Sequence, residues 1–473
     1  PSVPGPRAIL SSLLRRMDAQ GLRRVALYLV EFGLLIAALY VTRLLSIYVW
    51  ELGNGDVKLY HDYALNFWTH GFRALPTEYP ILSLLPFTLT LLPSIDDYFM
   101  VFALWMLALA ILGYIGFLIY STRRRAMIYA VYLIVGAAGT LLARFDLVPA
   151  LLTLAALWAT QRRRFGWAYV LIALGILTKL YPAFLLPIVM IAQGRAATAR
   201  ARIEGRAPEE KLTGRWWWDR PTVVFRRLWA QPATPRLAAG MGLCAGIVAL
   251  GFWTAFAINP GGALSGFNYA SARPLQIEST PASLLWLGTL LGIPAHPDYS
   301  FVSLNYVGPL DVVLKPLSML ALLALCLLVY WRQARGRLTV GQAFVACLCA
   351  VLATNKIFSP QYLIWLLPVV AAVEGFDIFW LAICILTTLD YPIIYRMRHP
   401  VLTVPYTPEF MPVLAVRNLL LLYVMVRAII GPRRIAPDQS LASQRIEAAL
   451  KPVERPEATP AREPVEPELV NKG

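Results

Sequence analysis

Between positions 25 and 430 the chain alternates long apolar runs with short polar breaks. Runs of this length read as membrane spans of about 20 residues each, in place of stacked globular domains. Twelve predicted spans fit, at 25–50, 97–120, 126–142, 147–161, 165–179, 182–193, 237–258, 310–331, 340–354, 361–374, 378–391 and 412–430. Several are short for a full crossing, which predicts oblique or partly inserted helices held against their neighbours. The reading is one all-α polytopic membrane domain over 25–430, preceded by a cytoplasmic segment over 1–24 and followed by a tail over 431–473. That tail is rich in Pro and Glu and poor in apolar residues, which predicts disorder.

Two segments break this pattern and are expected to form outer loops. In 51–96, Tyr60, Tyr63 and Phe67 recur against His61, Asp62 and Asn66 at helical spacing, predicting an interfacial helix; the apolar stretch 79–93 predicts a second. Counting 79–93 as a span would reverse the side assigned to Arg123 and Asp146. In 259–309, Pro260, Gly261 and Gly262 read as a Gly-rich turn, followed by a polar patch and a short apolar helix over 281–292.

Composition sharpens the picture. Of 473 residues, 58% are apolar and 15% charged, against about 45–50% and about 25% in an ordinary soluble domain. The net charge of +16 would suggest nucleic acid in a soluble protein, yet here the basic residues sit in clusters between apolar runs, such as Arg123 to Arg125 and Arg162 to Arg164. The positive-inside rule makes those loops cytoplasmic, together with both termini and the basic segment 194–236 that carries Trp216, Trp217 and Trp218. Nucleic acid is therefore not expected as a partner, and the bilayer is. The first run is too long for a cleavable signal and reads as a signal anchor. Cys244, Cys326, Cys347, Cys349 and Cys384 lie in apolar runs without metal-ligand spacing.

Candidate chemistry lies in ionisable groups at the outer mouths of spans, where charge is costly unless it serves a pathway, a site or a partner. Asp56 and Asp62 lie in the first outer loop, Arg144 and Asp146 open the fourth span, and Lys179 closes the fifth. Asn355 and Lys356 close the ninth, while Arg396, Arg398 and His399 occupy the last outer loop. Cations at headgroup depth could hold the phosphate of a lipid-linked donor while a free carboxylate takes a proton from an incoming hydroxyl. Blander readings stand beside these. Asp56 could be a solvated loop carboxylate or a helix cap, Arg144 and Asp146 a structural ion pair, and Lys179 a snorkelling lysine. Arg273, Gln276 and Glu278 could be ordinary loop polarity.

Five stretches in order carry a resemblance: Gly55, Asp56, Val57 and Tyr60 with Glu78, Tyr79, Pro80; Arg144, Phe145, Asp146, Leu147; Lys179, Leu180, Tyr181, Pro182; Gln276, Ile277, Glu278, Ser279; and Asn355 through Gln361. Together they resemble membrane glycosyltransferases of the GT-C superfamily, and within it glycosyltransferase family 87, the polyprenyl-phosphate-mannose-dependent mannosyltransferases. The resemblance implies a GT-C fold with its active site at the outer face of the plasma membrane. It implies Asp56 as general base, with Asp62 the alternative from the residues alone; Lys179, Arg144 and Lys356, at the mouths of spans at headgroup depth, are expected to contact the donor phosphate. Asp146, Tyr60, Glu78, Tyr79, Arg273, Gln276, Glu278, Asn355, Gln361, Arg398 and His399 are then expected around the substrates. The expected partners are a polyprenyl-phosphate sugar, mannose first, and a glycolipid or polysaccharide acceptor. No cofactor is expected, and a divalent metal is possible but not favoured, because one base stands without clustered acidic ligands. A lipid-linked sugar transporter or flippase without chemistry, which calls for charges near span centres and openings on both faces, is the alternative. A scaffolding protein would leave the convergence of Asp56, Arg144, Lys179 and Lys356 unexplained.

Overall fold

The structure is a computed structural model and describes residues 28, 31–33, 36, 55–76, 78–93, 97–203, 234–397 and 401–431. Most of the predicted first span, the tryptophan trio, Arg398, His399 and the tail from Pro432 lie outside the described residues.

Polar helix ends and proline or glycine breaks divide the rest into α1 (Asp56–His70), α2 (Leu84–Leu89), α3 (Tyr98–Tyr120), α4 (Arg123–Gly136), α5 (Leu147–Gln161), α6 (Phe165–Thr178), α7 (Leu186–Ile203), α8 (Thr234–Ile258) and α9 (Pro260–Ala272). Then follow β1 (Leu275–Gln276), α10 (Thr280–Thr289), β2 (His296–Ser300), β3 (Ser303–Val307), α11 (Asp311–Ala334), α12 (Val340–Thr354), α13 (Leu363–Val373), α14 (Ile378–Thr388) and α15 (Phe410–Ile430).

Among the described residues, six helices are long and apolar enough to cross a membrane: Tyr98–Tyr120, Tyr181–Arg200, Pro235–Ile258, Asp311–Ala334, Ile378–Met397 and Phe410–Ile430. Four shorter apolar helices lie between them, Leu147–Gln161, Phe165–Thr178, Val340–Thr354 and Pro360–Val373. The protein is thus a membrane-embedded helical protein. The short helices survive below full span length because protein surrounds them. In α12 almost every side chain is buried, packed by α11, α13 and α15, so its backbone ends need not reach the headgroups. A capping box, in which Thr339 and Gln342 satisfy each other's backbone N–H groups, starts that helix.

Close packing elsewhere depends on glycine. A Cβ on Gly240 of α8 would lie 2.1 Å from the Tyr169 ring of α6, and that ring is pinned because its hydroxyl donates to Gln193 at 2.6 Å.

Two expectations are corrected. Pro260, Gly261 and Gly262 do not form a turn but the first turn of α9, because Asn259 caps it by accepting from the Gly262 N–H and proline at the first position suits a helix start. The outer segment also holds strands. A small antiparallel sheet of order β1-β3-β2 pairs Gln276 with Asn305 and His296 with Val307, which two-residue and five-residue stretches of mixed polarity did not announce. The first loop follows expectation more closely: α1 covers the predicted interfacial helix, and 79–93 forms a short 3-10 turn with α2.

Candidate functional site

Arg144 in the turn after α4, Lys179 at the end of α6 and Thr354 at the end of α12 line one cavity, and Asp146 at the start of α5 pairs with Lys179, so these four helix ends come together. Asn259 ties the turn after α1 to the start of α9, its side chain donating to the Arg73 carbonyl at 2.7 Å. Together with α1, α9, β1 and the first turns of α11 they enclose a cavity of about 1250 Å³. At the opposite end lies a separate ion network, in which Arg427 pairs with Asp377 at 2.7 Å and Glu374 at 3.4 Å.

The cavity brings together most of the residues the sequence singled out. Asp56, Asp62, Glu78, Tyr79, Arg144, Lys179, Arg273, Gln276, Glu278, Asn355, Lys356 and Gln361 all line it. Tyr60 and Asp146 do not. Tyr60 is fully buried, stacked on Phe87 at 4.3 Å, and Asp146 is 1% exposed, so both shape the wall from behind. Arg398 and His399 lie outside the described residues.

The ion pairs differ from the pairing that sequence neighbours suggest. Arg144 does not pair with Asp146; its Nη1 stands 3.0 Å from Asp56 Oδ2. Asp56 occupies the first turn of α1, where an acidic side chain meets the positive helix end, and remains 30% exposed. Asp62 lies further along α1 and is exposed. Asp146 instead accepts from Lys179 Nζ and from Trp365 Nε1, both at 2.5 Å. Lys179 does not snorkel. Its side chain is 12% exposed, and its ammonium lies over the rings of Phe145, Trp365, Tyr362 and Tyr79 at 4.9, 4.9, 5.0 and 5.7 Å, each ring face attracting the cation.

The other wall is built by α9, the sheet and the loop after α12. Lys356 Nζ donates to the carbonyls of Ser271 and Arg273 at 2.9 and 3.0 Å, while the Lys356 carbonyl accepts from the Gln276 N–H at 3.0 Å. Arg273 donates from Nη2 to Ser303 Oγ at 2.8 Å. Burial pulls the Lys356 ammonium below its ordinary pKa, and the like charges of Lys315 and Arg273 add to the effect. Burial pushes the Glu78 carboxyl up, with the Asp56 charge in the same direction and Arg273 opposing.

Sequence reasoning missed a buried scaffold behind Gln276 and Glu278. Arg417, with no exposure, pairs with the equally buried Asp390 at 3.1 Å and donates to the Glu278 carbonyl. Asn418 donates to the same carbonyl at 3.1 Å and to Ser283 at 2.8 Å. Tyr395 donates to Glu278 Oε1 at 2.7 Å. Burial raises the Glu278 carboxyl pKa, with the Tyr395 hydroxyl and Arg417 opposing. The available signal was an ionisable residue inside each of two apolar runs, Asp390 and Arg417. Lys315, Tyr391 and Tyr395 also line the cavity and carried no sequence signal beyond their type.

Fold and cavity define a membrane-embedded helical protein with a large cavity, lined in part by charged groups, at one end of its apolar helices. Residues 77–203 match the sequence model of Glycosyltransferase family 87, a GT-C type family of membrane glycosyltransferases, so glycosyl transfer is the activity indicated. The matched stretch contains Glu78, Tyr79, Arg144, Asp146 and Lys179 and leaves Asp56 and the second wall outside it. No curated protein and no solved structure matches the chain.

Proposed function

We propose that this protein transfers a sugar, mannose first, from a polyprenyl-phosphate donor to a hydroxyl of a glycolipid or polysaccharide, at the extracytoplasmic face of the plasma membrane. The observation that carries the reading is Asp56, a partly exposed carboxylate oriented by Arg144 inside a cavity lined by further cations. In one displacement the acceptor hydroxyl loses its proton to the Asp56 carboxylate while its oxygen bonds to the anomeric carbon. The bond from that carbon to the phosphate oxygen breaks, its electron pair stays on the phosphate, and the anomeric configuration inverts. General-base help contributes about 10² to 10⁴ in rate, and fixed charges around the leaving phosphate add to it because charge grows there as the bond breaks. Side-chain cations carry that task in this reading, so no step runs through a metal.

The test is turnover. Purified protein in lipid, offered a panel of labelled polyprenyl-phosphate sugars, is expected to transfer one of them to a glycolipid acceptor, with Asp56→Asn abolishing transfer while donor binding persists. If Asp62→Asn is the inactive variant and Asp56→Asn keeps activity within a few-fold, the base is the other carboxylate. Loss in neither variant sinks the enzymatic mechanism.

A further inference from the structure

The two walls of the cavity differ in charge balance. On the first, both partly buried cations have a carboxylate: Arg144 has Asp56 and Lys179 has Asp146. On the second, Lys315 has Asp311 at 3.4 Å, whereas among the described residues no carboxylate comes within ion-pair distance of Arg273 or Lys356. Both are partly buried, and both retain donor capacity. Arg273 Nε is buried without a hydrogen-bond partner, and two carbonyls take only two of the three Lys356 ammonium protons. Two like charges held together out of full solvent repel unless an anion joins them. The wall thus presents to the cavity two cations that have no ion-pair partner among the described residues.

We infer that Arg273 and Lys356, with Lys315 beside them, form a site for a dianionic phosphate monoester, which on the proposed function is the polyprenyl phosphate left after sugar transfer. The inference rests on that reading for the ligand's identity. A lipid-phosphate sugar is a phosphodiester with one negative charge. Once the sugar leaves, the monoester carries a charge near −1.5 to −2 at neutral pH. Two cations without ion-pair partners suit the second state better than the first, so the wall favours the developing leaving group over the donor and retains the spent carrier. The shared chemistry is a phosphate monoester, and free phosphate is the other source of it.

Binding measurements in nanodiscs separate these cases. Farnesyl phosphate is expected to bind at least about tenfold more tightly than its methyl diester, as charge-assisted pairing with a second negative charge implies. Arg273→Gln and Lys356→Gln should each remove most of that preference, while Lys356→Arg keeps it. Lys58→Gln, which removes one charge from an exposed position on the cavity lining, should leave it unchanged. Monodisperse elution and an unshifted melting point guard against misfolded variants. Equal affinity for monoester and diester, or loss of preference in Arg144→Gln or Lys179→Gln but not in the second-wall variants, overturns the site. Inorganic phosphate binding as tightly as farnesyl phosphate overturns the carrier as its occupant. Sugar transfer is read separately in the same preparation: turnover without monoester preference defeats this inference and leaves the function standing, and preference without turnover on any donor does the reverse.

Discussion

Arg144 and Asp56, from the turn after α4 and the first turn of α1, meet at 3.0 Å inside the cavity. A base must be aimed, and the neighbouring guanidinium holds the carboxylate in place while making the two residues one functional unit. Arg144→Gln is therefore expected to lower kcat by about 10²-fold or more, as Asp56→Asn does. The double variant should be little worse than either single one, since residues acting as a unit are not additive. Steady-state kinetics of the four proteins checks this, and losses that multiply would show that the pair does not act together.

Asp146 takes both the Lys179 ammonium and the Trp365 indole. Removing its charge leaves a buried lysine unpaired, so Asp146→Asn should destabilise the fold by about 3–5 kcal/mol. Trp365→Phe deletes one hydrogen bond and keeps the ion pair, for a loss nearer about 1–2 kcal/mol. Thermal melts in one detergent rank the two. The reverse order would mean that aromatic stacking with Tyr181 and Tyr362, and not the charge pair, holds this wall.

Apolar runs and polar punctuation made the helices of this chain readable, because burial in lipid demands both. They also made the first wall readable, since Asp56, Arg144 and Lys179 interrupt that pattern at run ends. Partner choice was not legible. Arg144 and Asp146 are sequence neighbours, yet the turn between α4 and α5 points them at different carboxylate and ammonium partners. Arg417 was hidden for another reason: an arginine within an apolar run looks like tolerated polarity until Asp390, Asn418 and the Glu278 carbonyl are seen around it. The sheet escaped notice because β1 is two residues long and its pairing is set by β3, far along the chain.

That hidden scaffold gives the next prediction. Arg417→Met strands the buried Asp390 carboxylate and frees the Glu278 carbonyl, so a loss of about 3–5 kcal/mol is expected. Replacing both partners, Arg417→Met with Asp390→Leu, removes the uncompensated charge and should recover part of the melting temperature. Sugar transfer should stay impaired in the double variant, because the turn carrying Gln276 and Glu278 has lost its anchor. Recovery of activity along with stability would show that the scaffold does not position that turn.

Sidedness can be tested with single cysteines, since all five native ones are buried. Ser271 lies beside the cavity and Arg163 in the exposed turn after α5, at the opposite end of the bundle. In a background lacking the native cysteines, Ser271→Cys is expected to react with an impermeant maleimide in intact cells, and Arg163→Cys only after the membrane is permeabilised. The opposite pattern would place the cavity on the cytoplasmic side.

Glu78 supplies a pH test whose sign follows from its surroundings. Burial and the Asp56 charge raise its carboxyl pKa in the folded protein, while the unfolded chain has the ordinary glutamate value. Below that ordinary value Glu78 is protonated in both states and its contribution is fully present. Between the ordinary and the raised value the native state holds a proton that the unfolded chain has released, so stability falls as pH rises through this window. Above it, the penalty of an ionised, half-buried carboxylate remains. Glu78→Gln keeps the shape without the titration, so the difference in melting temperature between variant and wild type should grow in the variant's favour from about pH 4 to about pH 8. Using the difference removes the titration of groups that do not interact with Glu78, Glu278 included. A difference that stays flat across that range, or that shrinks, would mean that Arg273 outweighs burial and holds Glu78 ionised in the folded state.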